Sequence, residues 1–332
     1  MKRNRGNLCL VLEHKQRETT HFMAIVYEKI ISIFIIILVG FVASRLGWLP
    51  AACGKYISKM LLNICMPCFI VYSMSQQTLD RGMGINIVIF CVLVLILFSC
   101  GLPLGLLIGK MAGLPKRDWG LYGFSMAYTN NGFLGYPVAY AAFGAEGLFF
   151  MILGGLMINL HNFSLGIMTI NYGGDVKISA KERLKRFLNM PVIASIVGFS
   201  IFLAEVQIPE APLSIISMLG NVTIPLSMIF LGIQLADGNF REMAGKKSNF
   251  IIVLFRLAII PAITFLICSL IGFDTIVTVI LTLTAGMPVA ITAPILAQEY
   301  GRNVKLGSQC VFLTTLFSLV SLPILLWFLG QA

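Results

Sequence analysis

The chain has 332 residues, of which 58% are hydrophobic and only 11% are charged. Soluble domains carry roughly 25% charged residues, so this composition excludes an ordinary soluble domain and indicates an all-α protein that crosses a membrane many times. The formal net charge of +10 therefore does not indicate a nucleic-acid-binding surface, and we expect it on loops at one membrane face.

The chain opens with a polar segment before its first apolar run. Residues 1–22 contain no apolar run long enough for a signal peptide, and Met23 opens the apolar chain, so we interpret 1–22 as an upstream extension that arises from the choice of start site. Runs long enough to cross ~30 Å of hydrocarbon then predict span 1 at about 24–44, span 2 at 56–74 and span 3 at 85–108.

Span 4, from Trp119 to Gly144, breaks the rules of a continuous helix. Gly and Pro weaken or remove helical hydrogen bonds, and Asn competes for the backbone. Five such residues fall within eight positions: Asn130, Asn131, Gly132, Gly135 and Pro137. A simple proline kink is the alternative, but it requires fewer breakers. Because freed backbone groups find no water in lipid, the pattern indicates an interrupted helix that lines a polar cavity, as in secondary transporters.

The second half of the chain repeats this arrangement. Span 5, at about 148–170, precedes a basic segment, residues 172–189, which we predict to be a loop. Spans 6 to 10 follow at about 191–204, 213–235, 250–271, 284–301 and 306–329. Span 9 is a second broken stretch, and it shares the pattern Gly-x-Pro-Val-Ala with span 4.

The two halves also match at their Asn-x-x-x-Pro pairs. Asn63 and Pro67 in span 2 correspond to Asn221 and Pro225 in span 7, which lie 158 residues later. Since each half contains an odd number of spans, the second half must enter the membrane from the opposite side. The sequence thus predicts ten transmembrane helices as two inverted five-helix repeats, in which the broken helices 4 and 9 cross. The two repeats are residues 23–171 and 190–332.

The distribution of Lys and Arg predicts the orientation. Sixteen of these residues fall on loops after odd-numbered spans, whereas Arg81 alone falls on the other face when the N-terminal extension is set aside. By the positive-inside rule, the 172–189 loop is cytoplasmic and both termini lie outside the cytoplasmic membrane.

The motifs NNGFLGYP in span 4 and MPVAITAPILAQEYG in span 9 resemble the auxin efflux carrier family, over residues 23–328. The resemblance implies a fold shared with bile acid sodium symporters, with helices crossing at Pro137 and Pro288, and transport of a small organic anion. The family's span 4 asparagine falls on Asn130. Many relatives have a second asparagine where this chain has Thr292. The short central loop resembles that of bacterial members, so auxin is not the expected substrate.

The polar residues inside the spans favour an anionic substrate. Acidic residues are absent from the span centres, which disfavours a cation pathway, and an anion would be held by helix N-termini with amide and hydroxyl donors. The expected substrate-binding residues are Asn130, Asn131, Gly132, Gly135, Pro137, Thr284, Gly286, Pro288 and Thr292. Secondary candidates are Asn63, Pro67, Asn221, Pro225, His161 and Arg256.

Several alternatives remain open at this point. Arg256 either snorkels to the cytoplasmic face or attracts the anion, and His161 either packs as a satisfied histidine or couples protons. The chain lacks a recognisable catalytic or metal-ligand set, so we expect neither an enzyme nor a cofactor, apart from a coupling Na⁺ or H⁺. A channel or facilitator for small anions is the alternative to a secondary active transporter. The expected partners are the substrate and the lipid bilayer, with a homodimer left open.

Overall fold

The computed structural model is all-helical in the part of the chain that it describes, residues 28–78, 82–172, 188–238 and 247–330. Those ranges contain no β-strand, only one isolated antiparallel bridge. The N-terminal extension, 1–22, and all but the ends of the 172–189 loop lie outside the described residues, so their predicted roles stay predictions.

The helices, labelled in chain order, are α1 (28–45), α2 (Ala52–Ser75), α3 (Met83–Met111), α4 (Lys116–Ala127), α5 (Asn131–Ile170), α6 (Met190–Leu203), α7 (Glu210–Asp237), α8 (Lys247–Ile271), α9 (Thr275–Gly286), α10 (Thr292–Glu299) and α11 (Val304–Leu329). Within the described ranges, six helices are long and apolar enough to cross a membrane: α2, α3, α5, α7, α8 and α11. Large Ile, Leu and Val side chains remain exposed on several helices, as a lipid-facing surface requires.

Helix α5 is not one straight rod. Gly144 has φ +64° and ψ −152°, a conformation that glycine adopts without steric cost. On a straight helix Tyr136 and Gly155 would lie ~28 Å apart, at 1.5 Å per residue. Instead, the Tyr136 hydroxyl packs directly against Gly155. The chain therefore turns back at Gly144, where span 4 was predicted to end, and α5 consists of two packed arms, 131–143 and 145–170.

Four single π turns lie in three of the long helices in the described ranges, and one of them opens α5. They are Leu61–Cys65 in α2, Asn131–Gly135 and Asn162–Gly166 in α5, and Phe255–Ile259 in α8. Each contains an amide or guanidinium side chain, from Asn63, Asn131, Asn162 and Arg256 respectively. Three of them end two residues before a proline, whose missing N–H and bulky ring the wider turn accommodates.

Helices α4 and α9 lie at the centre of the molecule. Every residue from Gly120 to Ala127 is buried, as is every residue from Val277 to Gly286. Helix α3 approaches α4 closely because a stripe of small residues faces it, with Gly105 set against Gly123 and Met126. The ends of α4 and α9 are therefore fixed by packing in the protein interior.

Candidate functional site

Helices α4 and α9 both end inside the protein on extended residues. Tyr128, directly after α4, has φ −90° and ψ 138°, and Met287, directly after α9, has φ −68° and ψ 147°. Helix resumes after three non-helical residues in the first case and five in the second. We call residues 128–130 break 1 and residues 287–291 break 2.

The two breaks pair with each other through backbone atoms. The Asn130 N–H donates to the Pro288 carbonyl at 2.8 Å, and the Ala290 N–H donates to the Tyr128 carbonyl at 3.0 Å. These bonds flank the isolated antiparallel bridge and satisfy groups that the missing helical turns leave free. We call this contact the crossover.

Break 1 lies upstream of the position that the sequence predicted. The breakers between 130 and 137 indicated the interruption, but the structure places it at 128–130. Gly132 and Gly135 lie inside a π turn, and Pro137 follows that turn without ending the helix. Only Asn130 of the five predicted breakers belongs to the non-helical segment, as the residue that precedes α5.

A cavity of about 320 Å³ opens beside the crossover. It is lined by break 1, by part of break 2, by the first residues of α5 and α10, and by α2, the second arm of α5 and the start of α6. Among the described residues that line it, Lys59 is the one charged side chain. Six lining residues are asparagines: Asn63, Asn130, Asn131, Asn159, Asn162 and Asn189. The cavity therefore offers many neutral donors and no carboxylate.

Asn130 and Asn131 carry unused hydrogen-bond donors in this cavity. Each is only 4% exposed. Asn130 Oδ1 accepts from the Phe133 N–H at 3.3 Å, and Asn131 Oδ1 accepts from Thr129 Oγ1 at 2.8 Å. Both Nδ2 groups lack a hydrogen-bond partner in the described part of the chain. Because they stand at the start of α5, the helix dipole adds to their preference for negative charge.

Arg256 lies behind the crossover rather than at the membrane surface. It is 2% exposed, which corrects the alternative that it snorkels to the cytoplasmic face. Its Nε donates to the Met287 carbonyl at 3.1 Å, and its Nη1 donates to the Met126 carbonyl at 3.0 Å. The side chain thus contacts the last turn of α4 and the first residue of break 2, and it is not among the residues that line the cavity.

His161 connects break 1 to α3. Its Nδ1 lies 2.7 Å from Tyr128 Oη, and its Nε2 lies 2.9 Å from Ser99 Oγ. The Tyr128 hydroxyl is also 3.2 Å from the His161 carbonyl. A neutral imidazole satisfies both hydroxyl partners with one donor and one acceptor nitrogen. This geometry fits the packing alternative, while proton coupling stays a prediction.

Some of the other predicted residues line the cavity, and the rest lie outside its lining. Thr292, Asn63 and Gly132 line the cavity together with Asn130 and Asn131. The remaining candidates lie outside the lining: Gly135, Pro137, Thr284, Gly286, Pro288, Pro67, Asn221 and Pro225. Thr284, for example, is fully buried with its Oγ1 3.4 Å from Met151 Sδ, and Asn221 is exposed and bonds to Ser217.

Sequence reasoning missed several residues of this site. Tyr128 was not among the candidates, although it both joins the crossover and contacts His161. Asn159 and Asn162, in span 5, were also not among the candidates, although both line the cavity. Their spacing of three residues places both on one helical face, and that signal was available.

A second cavity, of about 340 Å³, lies on the other side of Ile291 among α7, α10 and α11. Asp237 and Lys305 both line it, so it presents charges of both signs. It contains neither Asn130 nor Asn131. For an anion, the crossover cavity is therefore the better candidate.

Comparison with known proteins finds one matching family and several similar transporters. The membrane transport protein family matches residues 25–326 of the chain. An uncharacterized transporter of Methanothermobacter thermautotrophicus is 30% identical over 90% of this chain and 96% of its own length. An uncharacterized transporter of Methanocaldococcus jannaschii is 29% identical over 91% and 98%. A protein of Rhizobium meliloti provisionally named a malonate transporter is 21% identical over 92% and 96%.

Proposed function

Because the chain belongs to the membrane transport protein family, as its resemblance to auxin efflux carriers indicated, we propose that it is a secondary active transporter for a small organic anion. It is a multi-pass membrane transporter by family and by its apolar helices. Beyond this, we propose its substrate class, its transport mechanism, its location in the cytoplasmic membrane and its orientation there.

The pair of unpartnered amide groups in the cavity carries this proposal. A buried donor without a partner costs about 1–3 kcal/mol, and a carboxylate oxygen would satisfy it with a charge-assisted bond. Asn130 and Asn131 place two such donors side by side at a helix N-terminus, in a cavity without a carboxylate. The volume of about 320 Å³ suits a small organic acid.

The proposed mechanism is alternating access between two inverted repeats, residues 23–171 and 190–332. The pairing of two interrupted helices at the crossover supports it, because inverted-repeat transporters bind substrate where such helices meet. Lys59 and Asn189 line the cavity, and the charge distribution assigns both to the cytoplasmic side. In this proposal the described conformation is therefore open toward the cytoplasm, with both termini outside.

Uptake into proteoliposomes tests the function. Purified protein would be given radiolabelled malonate, succinate and lactate, separately, under no gradient, a sodium gradient or a proton gradient. Malonate is the first probe because one relative carries its name. We expect saturable uptake of at least one of these acids, with accumulation under one gradient. Unitary currents in a planar bilayer would favour the channel alternative, and uptake of organic cations but no anions would contradict the proposal.

A further inference from the structure

Four helix ends meet at the crossover, and they form two groups: two N-terminal ends that line the cavity and two C-terminal ends that contact Arg256. The N-terminal ends of α5 and α10 contribute Asn131 and Thr292 to the cavity. The C-terminal ends of α4 and α9 meet Arg256 instead, through the carbonyls of Met126 and Met287. Helix N-termini carry partial positive charge and C-termini partial negative charge, so the ends that attract an anion face the cavity.

The C-terminal ends would oppose an anion if nothing compensated them. Each interrupted helix leaves carbonyls without intrahelical partners at its end. A guanidinium donates to both ends at once, because its nitrogens form a rigid planar fork. Arg256 thereby neutralises two negative helix ends that lie beside the proposed substrate.

The charge of Arg256 has no carboxylate among the hydrogen-bond partners that the structure gives it. Its two bonds go to backbone carbonyls, and its Nη2 has no hydrogen-bond partner within the described residues, although the side chain is 2% exposed. Buried arginines are rare unless they are paired, and an intramembrane cation marks a functional site by default. The guanidinium charge is therefore offset by the two helix C-termini and not by a carboxylate, so the N-terminal ends of α5 and α10 set the field in the cavity without opposition.

We propose that Arg256 is the positioning and specificity-determining residue of the crossover: it holds α4 and break 2 in register, and its fixed charge makes the cavity prefer anions over neutral molecules of the same shape. This inference rests on the proposed function and names the feature that selects the substrate class.

Charge-preserving and charge-removing variants test the inference. Binding of malonate and of its neutral diamide, malonamide, would be measured with purified wild type, Arg256→Lys and Arg256→Gln. We expect Arg256→Gln to lose about 10- to 100-fold in malonate affinity with little change for malonamide, and Arg256→Lys to keep most of the preference. Equal losses for both ligands in both variants would overturn the inference and leave Arg256 a purely structural clamp.

If Arg256→Gln does not fold, a histidine variant tests whether the charge at position 256 affects malonate uptake. In Arg256→His, malonate uptake should fall, relative to wild type at the same pH, as the pH increases from about 5 to 8, because the new imidazole loses its charge in that range. A ratio of uptake that does not change with pH would contradict the charge role. Wild-type protein that binds none of the carboxylates tested would instead contradict the proposed function, whatever the variants do.

Discussion

Asn130 combines two tasks in one side chain. Its Oδ1 accepts from the Phe133 N–H and so caps the start of α5, while its Nδ2 has no hydrogen-bond partner within the described residues. Its backbone N–H meanwhile donates to Pro288 across the crossover. A substitution such as Asn130→Ala therefore removes the cap and the unpartnered amide together but leaves the main-chain contact intact.

We expect Asn130→Ala to reduce malonate affinity by roughly 5- to 150-fold, since one buried hydrogen bond to an anion is worth about 1–3 kcal/mol. Thr292→Ala should be milder, because a hydroxyl offers one donor where an amide offers two. Isothermal titration with the purified variants measures both effects.

The matched control is Asn86→Ala. Asn86 is a half-exposed amide near the start of α3 that does not line the cavity, so its loss should leave binding unchanged. Near-normal binding by well-folded Asn130→Ala would remove break 1 from the substrate site.

His161 and Tyr128 should behave as one unit. Tyr128→Phe leaves His161 Nδ1 without its 2.7 Å partner, so we expect it to lower the free energy of unfolding by about 1–3 kcal/mol. His161→Gln should cost a similar amount, and the double variant little more than either single one. Thermal unfolding in detergent, with exposed Tyr56→Phe as a neutral control, measures this. Uptake by His161→Gln should keep the wild-type pH dependence; a loss of proton-driven uptake alone would favour proton coupling.

At the level of elements, the sequence predicted which helices are interrupted but not how the interruptions are held. The breakers in spans 4 and 9 are local features, and they correctly marked α4 with α5 and α9 with α10. A π turn accommodates Pro137 inside α5, and the break lies upstream of it, at 128–130. No single residue type in the sequence indicates that position. The bonds from Arg256 to Met126 and Met287 join residues 130 and 31 positions apart, so only tertiary packing creates them.

Close packing of α3 against α4 gives a prediction at this scale. A Cβ at Gly105 would lie 2.6 Å from Met126 Cβ and 2.7 Å from Gly123 Cα, and the backbone atom cannot move aside cheaply. Gly105→Ala should therefore destabilise the fold by about 1–3 kcal/mol, although alanine is the better helix former. Gly84→Ala, on the same helix with open space around it, is the control. Equal melting temperatures for the two variants would show that α3 and α4 are not held at this distance.

At the scale of the whole molecule, composition alone was enough to predict a helical membrane protein. The family match and the six long apolar helices within the described ranges confirm that class. The ten-span count is harder to establish from length and hydropathy. Helices α4 and α9 have 12 residues each, about 18 Å at 1.5 Å per residue, and α5 contains two packed arms joined at Gly144. The ten-span inverted repeat therefore stays a prediction that the six long apolar helices of the described residues neither require nor oppose.

The proposed orientation predicts which residues can be labelled from each side. In a variant without reactive native cysteines, Lys116→Cys should react only with reagent on the cytoplasmic side, and Glu210→Cys only with reagent outside. Both residues are exposed at helix starts, and the positive-inside rule assigns them to opposite faces. Labelling of spheroplasts and inside-out vesicles with a membrane-impermeant maleimide measures this. Reaction of both positions from one side would contradict the two inverted repeats.

The two breaks bond to each other through main-chain atoms, and this separates their mutual contact from the side chains that line the cavity. Any residue except proline can supply the N–H groups at positions 130 and 290, so the two hydrogen bonds survive changes of side chain. In the proposed site, we expect exchange of Asn131, Thr292 or Asn63, one at a time, to change the cargo while the interrupted helices stay docked. We therefore expect these three positions to accept a new specificity without a redesign of the helices.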